Sequence, residues 1–144
     1  MEKDLKELLS LWKNKAENDL KVVKKELASI DPVTDIVCFH CQQAVEKYLK
    51  ALLIHLDIEF KYKHSLIYLL NLLSEQIEIP ELMFENALKL ENFAVEFRYP
   101  NEIIEPTENE IEDFFKIVIN IRNFVADELN KQNNESIDKL LNDK

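Results

Sequence analysis

The side chains that could do chemistry are few. Across 144 residues there are three histidines (His40, His55 and His64), two cysteines (Cys38 and Cys41) and two arginines (Arg98 and Arg122). Cys38-Phe39-His40-Cys41 has the spacing of a redox pair or of half a zinc site. A second half is missing, because no further cysteine exists and His55 and His64 are not at zinc-finger spacing. A disulfide in mid-helix would be strained, so both cysteines are expected to be buried small apolar residues, with no metal site. His55 follows an apolar run and reads as a helix-end residue. His64 lies at a helix start, where its ring can bond a backbone group. The serines, Ser10, Ser29, Ser65, Ser74 and Ser136, have no strand-turn-helix setting, so serine-histidine-aspartate catalysis has no support. Arg98-Tyr99-Pro100 stands apart. Its arginine ends an amphipathic helix and its proline forces an extended exit. Such a guanidinium can offset the helix dipole, pair with Glu96 or Glu102, or form an anion-binding fork facing a cleft.

The elements that must hold these residues follow from composition and periodicity. The chain contains no glycine, which removes Gly-rich phosphate loops, dinucleotide fingerprints and Asn-Gly hairpins. Leu5, Leu9, Trp12, Ala16, Leu20, Val23, Leu27 and Ile30 step by three and four, predicting a first helix from about Asp4 to Ile30 that ends at Asp31-Pro32. Thr34 or Asp35 can cap a second helix running to about Asp57. Val37, Cys41, Ala44, Val45, Tyr48, Leu52 and His55 form its apolar side, and Gln42, Gln43, Glu46, Lys47 and Lys50 its polar side. A third helix starts near His64 or Ser65 and is apolar on more than one face. A fourth runs from about Glu81 to Phe97. A capping box, Thr107 to Glu110, opens the last, whose stripe is Ile111, Phe115, Val118, Ile121, Val125 and Leu129. The expected fold is an all-α, antiparallel up-and-down bundle of four to five helices, one domain over 1–130 with a polar tail over 131–144.

Charge narrows the function classes. The net charge is −10. Residues 1–72 carry eleven Lys against eleven Asp and Glu, while residues 73–144 carry seven Lys and Arg against seventeen Asp and Glu. There is no basic stripe for extended duplex DNA. The acidic half reads as a solvated surface, or as a face for a basic partner. No apolar run approaches the roughly 18 residues of a membrane span, and no apolar leader opens the chain. A soluble, cytoplasmic protein is expected.

Phe39-His40-Cys41-Gln42-Gln43-Ala44-Val45-Glu46-Lys47-Tyr48-Leu49-Lys50-Ala51-Leu52-Leu53 resembles the second-helix signature of the HEPN domain, the nucleotide-binding domain of higher eukaryotes and prokaryotes. Ala16-Glu17-Asn18-Asp19-Leu20 resembles that family's first helix, and His64-Ser65-Leu66 its third-helix start. Arg98-Tyr99-Pro100-Asn101 resembles its Arg-Tyr-Pro-Asp loop, with Asn101 in place of the acid. The match spans about 12–129. The resemblance implies a helical bundle, usually a homodimer, acting beside a small nucleotidyltransferase or in toxin–antitoxin and other RNA-processing systems. Many relatives are metal-independent RNases whose arginine is followed, after four to six residues, by a histidine. Here Arg98 is followed at that spacing by Ile103, Ile104 and Glu105, and Arg122 by Asp127, Glu128 and Leu129. The acid/base partner of such a reaction is therefore missing. No cofactor is implied. The expected role is a non-catalytic module in which Arg98 and Tyr99, with Lys47, His64 and Gln43, hold a nucleotide or RNA phosphate. Phe39, Ile54, Ile117 and Phe124 are the expected dimer contacts. An RNase toxin and a purely structural adaptor are the alternatives.

Overall fold

The computed structural model describes residues 2–93 and 105–142, with side chains over 4–93 and 105–131. Five helices make up its regular structure: α1 (Glu2–Leu27), α2 (Thr34–His55), α3 (Leu66–Ser74), α4 (Glu81–Phe93) and α5 (Glu108–Asn142). They form the expected all-α antiparallel bundle. The centre is α2, which packs against each of the other four. Its core residues, among them Leu49, Leu52 and Leu53, share one buried cluster with Leu20 and Val23 of α1, Leu69 and Leu73 of α3, Leu90 of α4 and Phe114 of α5. Each such side chain stabilises the fold by about 1.5–3 kcal/mol when fully buried.

The helix ends explain how a glycine-free chain turns. α1 stops at Leu27, short of Ile30, whose side chain is fully exposed. Glu26 reaches forward from the last turn of α1, and its Oε1 accepts from Val33 N–H at 2.8 Å. Val33, not Thr34 or Asp35, is the N-cap of α2, and it makes no side-chain cap. The expected caps are thus replaced by a carboxylate from the preceding helix. At the other end of α2, Asp57 adopts φ 58°, the one positive φ among the described residues. Its N–H donates to Ile54 C=O, and Ile58 N–H donates to Leu53 C=O. This is a Schellman closure, with aspartate in the place glycine usually takes. Ser65 caps α3 by accepting from Tyr68 N–H. The capping box of α5 is reciprocal: Thr107 N–H donates to Glu110 Oε1 at 3.0 Å, and Glu110 N–H donates to Thr107 Oγ1 at 3.2 Å.

Three details differ from the periodicity reading. The polar side of α2 is not solvated: Gln42, Glu46 and Lys50 are buried. A central helix has neighbours all round, so its polar residues find partners inside. In α5 the buried aromatic is Phe114, with Phe115 only partly covered, because the helix presents a wider face to α2 and α4 than a single stripe. α5 also continues as one helix past Leu129 to Asn142. Of the fourth helix, the part after Phe93 lies outside the described residues.

Candidate functional site

Three carboxylates, each shared by two donors, organise the polar residues around α2. Asp19 of α1 is 7% exposed and accepts from Lys47 Nζ at 2.6 Å, with His40 Nδ1 at 2.8 Å. A carboxylate only accepts, so His40 Nδ1 is the donor in this contact. On the adjoining stripe of α2, Glu46 is 3% exposed. Its Oε1 faces His64 Nδ1 at 3.0 Å and its Oε2 faces Lys50 Nζ at 3.3 Å. The third carboxylate is Glu17. Its Oε1 accepts from both Tyr48 Oη and Arg122 Nε, each at 2.8 Å.

The sequence explains why these meet. His40, Gln43 and Lys47 are spaced three and four apart, so they share one stripe of α2 facing Asp19. Gln42, Glu46 and Lys50, each four apart, share the next. Gln42 Nε2 donates to the backbone carbonyl of His64 at 3.0 Å, while its Oε1 is buried with no partner among the described residues. Gln42 and Glu46 therefore hold His64 from both its backbone and its ring. The ring itself is 51% exposed, with its edge meeting Tyr62. Lys50 is enclosed: its ammonium lies 5.1 Å from the Trp12 ring centroid, 5.2 Å from Tyr62 and 5.9 Å from Phe60. These cation–π contacts draw the 57–63 connection onto α1.

Electrostatics follow the same pairing. Burial pushes the Glu17 carboxyl up, but hydrogen bonds from Tyr48 and Arg122 and the charges of Arg122 and Lys13 outweigh it and leave it below the usual carboxylate range. Burial, with the bond to Glu17, raises the Tyr48 phenol and keeps it protonated. Burial raises the Cys38 thiol to about 12 and the Cys41 thiol further. Both cysteines are free and buried, as expected of small apolar residues. Among the described residues, no three His, Cys, Asp or Glu side chains converge where a metal ion could sit.

Of the expected ligand residues, Lys47 and Gln43 share one stripe of α2, and His64 is tied to the adjoining stripe through Glu46. Arg98 and Tyr99 lie outside the described residues. His64 uses its ring on Glu46, not on a backbone group. Among the expected dimer contacts, Ile117 is a core side chain at 7% exposure, and Phe124 packs against the core. Phe39 is half-buried with its ring against His40. Ile54 lines a groove of about 490 Å³ with Leu5, Leu8, Trp12 and Phe60. The reading from sequence missed the bridging acids Glu17 and Asp19 and placed Glu46 and Lys50 on the polar side of the second helix without foreseeing their burial.

The site is thus framed by an all-α bundle whose central helix buries Gln42, Glu46 and Lys50 and in which carboxylates brace His40 and His64. The chain belongs to the HEPN domain family, whose model matches residues 9–132. An archaeal HEPN homologue of known structure is 26% identical, with a TM-score of 0.68 over 84% of this chain and 97% of that one. A protein from Thermus thermophilus is 28% identical, with a TM-score of 0.70 over 83% of this chain and 97% of that one. An HEPN domain protein from Thermotoga maritima shares the fold at 24% identity, with a TM-score of 0.62 over 86% and 98% of the two chains. No curated protein matches the chain. No described helix is long and apolar enough to cross a membrane.

Proposed function

We propose that this chain is a non-catalytic HEPN module that binds a nucleotide or RNA phosphate, and that it works as a cytoplasmic homodimer beside a small nucleotidyltransferase. One observation carries the reading: neither Arg98 nor Arg122 is followed by a histidine at the ribonuclease spacing. A positioned acid/base group contributes about 10²–10⁴-fold, so its loss removes cutting while leaving the arginine able to grip an anion. Support for the location comes from Arg98 and Tyr99 following α4 in the sequence, from Lys47 and Gln43 sharing a stripe of α2, and from His64, in the connection before α3, being tied to the adjoining stripe through Glu46 and Gln42. Titration with ATP and other nucleotides tests the role. Saturable binding that Arg98→Ala removes agrees with it. If wild type and Arg98→Ala are equally inert, the nucleotide site is wrong.

A second reading, a metal-independent RNase toxin, is favoured by the half-exposed His64 ring braced at Nδ1 by the buried Glu46. A half-exposed imidazole braced by a buried carboxylate is a general-base arrangement. Incubation of the pure protein with RNA in EDTA separates the two readings. Cleavage abolished by Arg98→Ala or His64→Ala would overturn the non-catalytic assignment. A structural adaptor would instead retain a basic partner through its acidic second half and release it in high salt.

A further inference from the structure

An exposed stripe runs along the first four turns of α1. Asp4, Leu8, Leu11 and Lys15 are spaced four, three and four apart, so they fall on one line of the helix surface, and all four are exposed. Leu8 is 41% exposed and Leu11 51%. The buried residues of α1, Ala16, Leu20 and Val23, lie on a different line, the one that packs on α2. Beside the stripe opens the groove of about 490 Å³ whose walls include Leu5, Leu8, Trp12, Ile54 and Phe60. Leu8 belongs to both. A single exposed leucine is ordinary on a folded chain, but a leucine stripe continuous with an apolar groove marks an interaction surface. Among the described residues, neither Asp4 nor Lys15 has a hydrogen-bond or ion-pair partner.

We propose that this stripe is a self-association face, on which α1 pairs antiparallel with α1 of a second copy. The order acid, leucine, leucine, lysine is its own complement when reversed. About a two-fold axis midway between Leu8 and Leu11, Leu8 of one copy lies against Leu11 of the other, and Asp4 lies against Lys15 at both ends. Asp4 to Leu11 and Leu8 to Lys15 are the seven-residue separations of a coiled-coil seam, so the stripe stays on the contact over its length of about 17 Å. A parallel pair in the same register would oppose Asp4 to Asp4 and Lys15 to Lys15, and like charges across a contact are unfavourable. A different protein would have to carry the matching pattern, whereas a second copy carries it already. This pairing rests on the homodimer of the proposed function and names its face; it does not rest on the phosphate ligand. The contact then lies on α1 with Ile54 in the adjoining groove, and not on Ile117 and Phe124, which pack in or against the core.

Sedimentation equilibrium of the full chain tests it, with Leu8→Gln/Leu11→Gln, Asp4→Lys, Lys15→Glu and Asp4→Lys/Lys15→Glu beside wild type. The substituted positions are exposed, so the core stays intact, and a circular-dichroism melt checks this. Expected are a dimeric wild type and a monomeric Leu8→Gln/Leu11→Gln. Each single charge variant should weaken the dimer about tenfold, because two attractions become two repulsions. The double charge variant should regain wild-type association, and so should an equimolar mixture of the two single variants, since opposite charges face one another again in both. Recovery in the mixture requires contact between two copies through this stripe. If wild type is dimeric and every variant matches it, the face is wrong and the homodimer stands. If the single variants dissociate and the mixture does not recover, the antiparallel pairing is wrong. A monomeric wild type overturns the homodimer and this face with it, while the nucleotide titration still decides the ligand.

Discussion

Replacing Lys50 by methionine should be among the most damaging single changes in the molecule, and the damage should be reversible by a second substitution. Lys50 is 1% exposed and Glu46 3%, so the ammonium and carboxylate are removed from water together. Methionine keeps the length of the stem and lies among the same rings of Trp12, Phe60 and Tyr62. The lost cation–π attraction, about 0.5–2 kcal/mol, is largely offset by sulfur–aromatic contact of about 0.3–1.5 kcal/mol. What remains is the stranded carboxylate. Breaking a buried pair by removing one partner costs about 3–5 kcal/mol. His64 still faces Oε1 of Glu46, so the lower end applies, about 3 kcal/mol. For a chain of this size that is a fall in Tm of roughly 10 °C. The double variant Lys50→Met/Glu46→Gln no longer carries a buried charge and should recover about 2 kcal/mol of the loss. Urea unfolding followed by far-UV circular dichroism measures all four corners of the cycle. A loss under about 1 kcal/mol in Lys50→Met, or a double variant no better than the single, would refute the account of Lys50 and Glu46 as one coupled buried unit.

Further outcomes follow from the same structure. Glu17 has a depressed pKa in the folded chain, so its contribution is present above the ordinary carboxylate pKa and lost as pH falls through the lower folded value. The stability gap between wild type and Arg122→Gln should therefore be open at neutral pH and close in acid melts below about pH 4; a gap that widens in acid would contradict it. Cys38, with its thiol raised to about 12, and Cys41 beside it should resist a thiol-specific chromogenic reagent in the native state and react only as fast as the chain opens. Rapid labelling of either in the native protein would show the core to be looser than described. Thr107→Ala removes the acceptor for Glu110 N–H and should cost about 1 kcal/mol, read as a lower urea midpoint with an unchanged m-value.

Much of the bundle was legible because it rests on one-body tendencies. A residue such as Ala16, Leu20 or Val23 prefers burial wherever its neighbours are, so spacing of three and four reveals a helix and its inner face. The capping box at Thr107 was equally local, since both partners lie within one turn. The Gln-Gln-Ala-x-Glu-Lys run also pointed to the family, with its helix and order of motifs. Of the candidate site, the alignment of Gln43 with Lys47 on one stripe of α2 followed from helical periodicity alone.

Only the tertiary structure decided which charges are buried and with whom. Glu46 and Lys50 have the spacing of an exposed pair, and nothing local distinguishes that from a pair enclosed by Trp12 and Tyr62. Glu17 and Arg122 are 105 residues apart and meet because α1 and α5 both flank α2. The physical reason is that burial preference belongs to a residue, whereas an ion pair belongs to two. The energy of the pair depends on a distance that exists only once the helices have packed.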